Sequence, residues 1–88
     1  MDFYTTILKE DAGYWVALCL ENGITGQGAT KDEAVRKLKE AVDSFEEVRK
    51  EDPDVYTLPV SIKELHEFLT FEHEKTILGP LELRAVYA

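Results

Sequence analysis

The sequence predicts an α+β domain in the order β-β-β-α-α-β. A three-stranded antiparallel meander is followed by a long helix packed on the sheet, a short second helix, and a C-terminal strand that joins the sheet. Three observations lead there. The first 28 residues are dense in β-branched and aromatic side chains and are broken by glycine turns. Thr30 opens an amphipathic pattern behind an N-terminal capping signature. Leu81 to Tyr87 alternates after a Gly79-Pro80 breaker.

Asp2 to Leu8 forms the first strand, with Phe3, Thr5 and Ile7 on one face and Tyr4, Thr6 and Leu8 on the other. Glu10-Asp11-Ala12-Gly13 makes a hairpin turn, since glycine takes the positive φ that a Cβ resists. The second strand runs from about Tyr14 to Leu20 and is apolar on both faces, so one face meets a second layer or a partner. Asn22-Gly23 is a strong hairpin signal before a third strand from Ile24 to about Gly28. Gly26 and Gly28 thin that strand, which predicts a bulge or a close approach by another backbone.

Thr30 and Glu33 make a capping box, with the hydroxyl accepting from the Glu33 amide and the carboxylate returning to the Thr30 amide. Ala34, Leu38, Ala41, Phe45 and Val48, joined by Val35 and Val42, give the following helix an apolar stripe. Asp32 with Arg36, Glu33 with Lys37 and Glu46 with Lys50 are spaced for ion pairs on its solvent side. Pro53 ends it. Val55 to Leu58 is a short extended piece. Ser61 and Glu64 form a second capping box, stapled by Val60 and Leu65, for a short helix striped by Ile62, Leu65, Phe68 and Leu69 that fades near Thr70. The fourth strand of the sheet is either Leu81–Tyr87 or the shorter Val55–Leu58.

Eighty-eight residues suit a single domain spanning 1–88 with a modest core. Cys19 is the only cysteine, so no intrachain disulfide forms, and a reducing, cytoplasmic setting is expected. No apolar run approaches the roughly 18 residues of a membrane span and no signal-like leader is visible, which predicts a soluble, unprocessed chain away from membranes. The net charge is −8 and the acidic excess is spread along the chain. Such a surface repels phosphate, so direct nucleic-acid binding is not expected and a basic protein is the better electrostatic match.

The glycines do not form a phosphate loop: no lysine follows in Gly-Lys-Ser/Thr spacing, and no third glycine completes a dinucleotide fingerprint. Two-metal hydrolysis needs several converging carboxylates. Asp2, Glu10, Asp11 and Glu21 instead fall near strand ends and turns, where acids are ordinarily solvated, and no catalytic residue is assigned. His66 and His73, with Glu67 and Glu72, lack tight metal-ligand spacing and read as surface residues. No cofactor or metal is expected.

Gly13-Tyr14-Trp15-Val16-Ala17, the Gly23 turn, Thr25-x-Gly-x-Gly with Thr30, and Asp32-Glu33-Ala34 leading into Lys39-Glu40-Ala41 resemble the HicB family of antitoxins. The resemblance covers residues 1–50, the family core, and leaves 51–88 as a helix-plus-strand C-terminal part. It implies a partial RNase H-like fold whose fourth strand lies beside the first, reached by a right-handed crossover from strand three. The implied activity is not enzymatic: such proteins bind and mask a small basic HicA-type toxin that cleaves RNA. Tyr14, Trp15, Glu21 and Asn22 are the candidate partner-binding residues, with ordinary core packing as the other reading of Trp15, and a homodimer or higher oligomer is expected. Relatives that repress their own operon add a ribbon-helix-helix or helix-turn-helix module. Either would need a pair of helices that this C-terminal part lacks, which again argues against direct DNA binding. A stand-alone oligomeric structural or ligand-binding module with no toxin is the alternative.

Overall fold

A computed structural model describes residues 3–69 and 81–87. The elements are β1 (Phe3–Asp11), β2 (Tyr14–Cys19), β3 (Thr25–Gly28), α1 (Lys31–Glu51), α2 (Ile62–Leu69) and β4 (Leu81–Tyr87). The four strands form one antiparallel sheet in the order β3-β2-β1-β4. This is the predicted α+β arrangement, with Leu81–Tyr87 rather than Val55–Leu58 as the fourth strand.

The first hairpin is tighter than the sequence suggests. β1 runs on to Asp11, which pairs with Tyr14, and only Ala12 and Gly13 lie in the turn, at φ values of 51° and 88°. Two successive left-handed residues are what a two-residue hairpin requires, because that backbone twist matches the twist of the flanking strands. At the next turn Gly23 takes φ 75°, and the Asn22 side-chain oxygen accepts from the Ile24 amide at 3.0 Å.

β4 runs antiparallel to β1, and therefore also to β3. The expected right-handed crossover is a rule for parallel strands and does not apply here. α2 stands between α1 and β4 in the chain, so the connection from β3 to β4 is not a single β-α-β crossover.

α1 covers the sheet face that carries Thr6 and Leu8 of β1, with Trp15, Ala17 and Cys19 of β2. Leu8, Ala17, Cys19, Ala34, Leu38 and Val42 form the buried core, flanked by Tyr4, Trp15, Ile24 and Val35. Gly26 and Gly28 let the helix backbone come down onto β3. A Cβ on Gly26 would fall on the Leu38 amide nitrogen and lie 2.6 Å from the Ala34 carbonyl. The predicted close approach of another backbone is therefore that of α1. Val48, near the C-terminal end of the stripe, is exposed.

Thr30 caps α1, accepting from the Glu33 amide at 3.1 Å. The return half of the expected box is not among the bonds of the described residues, and the Glu33 stem lies where a Gly28 side chain would go. Ser61 and Glu64 make both halves of theirs, at 3.1 and 3.3 Å.

Candidate functional site

Strand parity sorts the remaining side chains onto the sheet face away from α1. β1 contributes Phe3, Thr5, Ile7 and Lys9, β2 Tyr14, Val16 and Leu18, and β4 Leu81, Leu83, Ala85 and Tyr87. Burial separates the two faces of β4: Val86 is buried on the helix side, whereas Leu83 is 68% and Tyr87 70% exposed. Phe3 and Tyr87 stand opposite each other, their rings tilted by 57° with centroids 6.2 Å apart.

α2 occupies the other end of this face. Lys9 Nζ donates to the Phe68 carbonyl at 2.6 Å and sits 4.5 Å from the centre of the Phe68 ring. The Val60 amide donates to the Leu20 carbonyl at 2.9 Å and ties the preceding segment to the end of β2. Between them opens a cavity of about 360 Å³ lined by Leu18, Gly23, Val60, Glu64, Glu67 and Phe68. No residue of α2 is buried, and Tyr56, Leu58 and Ile62 are exposed. The result is an apolar surface bordered by carboxylates.

The four candidate contact residues do not meet. Tyr14 points away from α1 at the hairpin end of β2, opposite Asp11. Trp15 points the other way, against the first turn of α1, with the Lys31 ammonium 4.9 Å from the ring centre. Glu21 and Asn22 lie in the turn beyond the far end of β2, whose five steps from Tyr14 to Cys19 span about 17 Å at roughly 3.3 Å per residue. Trp15 packs against the core, Asn22 shapes its own turn, and Glu21 accepts from the Thr5 amide at 2.7 Å and from Cys19 Sγ at 3.6 Å.

Sequence reasoning missed Phe3, Leu81, Leu83 and Tyr87 as surface residues. The alternation of 81–87 was a usable signal for a strand, but nothing local to it says which face α1 covers.

Electrostatics are modest. Burial pushes the Glu21 carboxyl up, but the hydrogen bonds from Thr5 outweigh it and hold the group below its usual value. The Lys31 bond holds Glu82 low against a smaller desolvation effect, with Arg84 assisting. Burial pushes the Cys19 thiol up, which leaves little thiolate for nucleophilic chemistry. Glu10 and Asp11 stand at the hairpin end of the sheet and Glu21 at the other, so these three acids do not converge on one pair of metal ions. Among the described residues no group of three His, Cys, Asp or Glu side chains is placed to hold a metal. His66 is exposed on α2, while Asp2, Glu72 and His73 lie outside the described residues. No helix among the described residues is long and apolar enough to cross a membrane.

Comparison with known proteins gives one match, to a family described as Family of unknown function (DUF7387), over residues 4–73. No curated protein and no solved structure matches the chain.

Proposed function

We propose that this chain, which belongs to the DUF7387 family, is an antitoxin-like binding module that neutralises a small basic HicA-type RNA-cleaving toxin by masking it. The carrying observation is the apolar sheet face formed by Phe3, Leu81, Leu83 and Tyr87 on a chain of net charge −8. Contiguous exposed apolar side chains on a chain of strongly negative net charge suit a protein partner of the opposite sign.

The module would act by binding rather than catalysis, in a reducing cytoplasm and without contacting nucleic acid itself, as a homodimer or higher oligomer. Its contact surface is better sought on the Phe3–Tyr87 face than at Tyr14, Trp15, Glu21 and Asn22, three of which are engaged in internal contacts. The test is co-expression with any small basic protein encoded beside its gene. Co-purification with loss of RNA cleavage is expected, weakened when Leu83 and Tyr87 are replaced by serine. A neighbour that neither binds nor loses activity would overturn the reading.

The second reading, a stand-alone oligomeric structural or ligand-binding module, is favoured by the outer edge of β4, which no strand among the described residues pairs. It would gain if the chain self-associates and no toxic neighbour is encoded.

A further inference from the structure

We propose that two copies of this chain pair antiparallel through the outer edge of β4, in a register centred on Leu83. This rests on the oligomeric part of the reading above and not on the toxin.

The backbone groups open at that edge follow from the ladder. The Thr5 carbonyl accepts from the Leu20 amide, and the Thr5 amide also points to that side, toward Glu21. Because successive residues of a strand point their backbone groups to alternate sides, Tyr4, Thr6 and Leu8 face β4. They stand opposite Val86, Arg84 and Glu82. Leu81, Leu83, Ala85 and Tyr87 therefore direct their amides and carbonyls outward, where no strand among the described residues meets them.

Native edge strands usually carry a device against self-pairing: a lysine, a proline, a bulge or a very short length. β4 has seven residues, lacks lysine and proline, pairs with β1 in unbroken register, and its two charged residues, Glu82 and Arg84, are of opposite sign and so do not by themselves repel a reversed copy. The opposite edge of the sheet is β3, which has only four residues, two of them glycine.

Charge selects the second copy as the occupant. Leu81-Glu82-Leu83-Arg84-Ala85 alternates apolar, acid, apolar, base, apolar, and reversing it exchanges the acid with the base. A two-fold axis through Leu83 puts Leu83 opposite its copy, Leu81 opposite Ala85, and Glu82 opposite Arg84 on both sides of the axis. The Glu82 and Arg84 pairs fall at non-hydrogen-bonded positions, where cross-strand side chains approach most closely. An axis through Arg84 would instead set two guanidinium groups against each other, and one through Ala85 leaves Arg84 opposite Val86. Glu82 and Arg84 already pair with each other within each strand; two chains of charge −8 repel overall, yet in this register each such pair meets its inverted copy, so the four charges alternate in sign across the axis. Pairing makes one continuous sheet and, on the face away from α1, sets the two copies of Leu83 side by side with Leu81 of each copy beside Ala85 of the other.

Sedimentation equilibrium of the full chain over a concentration series is expected to show a dimer. Leu83→Lys, at an exposed position, is expected to keep the circular dichroism spectrum and weaken the dimer by at least about tenfold. Arg84→Glu is expected to dissociate it, and adding Glu82→Arg to restore it. For register, Leu83→Cys should crosslink into a disulfide dimer under mild oxidation. Ala85→Cys should not, because its copy would lie about 13 Å away, four residues along the strand. A monomeric wild-type chain, or Ala85→Cys crosslinking as readily as Leu83→Cys, would overturn the proposal. A monomer that still silences its toxin would sink the dimer and leave the toxin reading standing, and a dimer that ignores every neighbouring protein would do the reverse.

Discussion

Gly26 carries more of the fold than any side chain on its strand. The absence of a Cβ lets Leu38 and Ala34 of α1 settle onto β3, and Gly26→Ala would force the helix away from its sheet. Overpacking of this kind costs about 1–3 kcal/mol and more where backbone opposes backbone. The expected outcome is a loss of roughly 3 kcal/mol in urea denaturation. Gly28→Ala should cost less, because the atoms it meets first belong to the flexible Glu33 side chain. Thr6 presents the opposite case: it is fully buried under α1, and its hydroxyl finds no hydrogen-bond partner. An unpaired buried hydroxyl costs about 1–3 kcal/mol, so Thr6→Val, which keeps the shape, should raise stability by about 1 kcal/mol. An unchanged or lower denaturation midpoint would show that Oγ1 is satisfied in solution.

The two helices are capped alike and contribute unequally. α1 buries Ala34, Leu38 and Val42, so its first turn is tied to the core, whereas α2 buries nothing among the described residues. Thr30→Ala should therefore cost the protein about 1 kcal/mol of global stability. Ser61→Ala should leave the global transition almost unmoved while accelerating amide hydrogen exchange within 62–69, because α2 can open locally. The charged face of α1 shows the limit of local spacing rules. Arg36 pairs with Glu40 and Arg49 with Glu46, while Asp32 faces Arg84 at 3.8 Å and Lys31 reaches Glu82 at 3.0 Å. Exposed long side chains take whichever partner the tertiary fold supplies, and here β4 brings Arg84 and Glu82 beside the start of α1.

At the scale of the molecule, two carboxylates held by folded-state hydrogen bonds make stability pH-dependent. Glu21 and Glu82 both have depressed carboxyl pKa values in the folded state. Each contributes stability that is present above the unfolded carboxylate pKa and is lost as pH falls through the folded one. Stability should drop on acidification through the carboxylate range, and the Glu21→Gln, Glu82→Gln double variant should lower the neutral-pH value and flatten the acid limb. The net charge of −8 acts against compactness, so moderate salt should raise the melting temperature until screening is complete. A melting temperature that falls with salt would show the surface pairs outweighing the overall repulsion.

Much of this architecture was legible locally. Glycine at 13 and 23, the caps at Thr30 and Ser61, and the apolar period of α1 each reflect backbone or packing physics that acts within a few residues, and the elements appear where those signals stand. The candidate contact residues were less legible: Glu21 and Asn22 look available in sequence and are spent on internal contacts, while Trp15, on an apolar strand face, takes the packing role that face allows. The sequence by itself determined the six elements and the thin third strand. Only the tertiary structure decided that β4 runs antiparallel beside β1 and that Leu81, Leu83, Ala85 and Tyr87 face away from α1. An alternating strand has two equivalent faces until a neighbour fixes its register, and that neighbour lies more than seventy residues away in the chain.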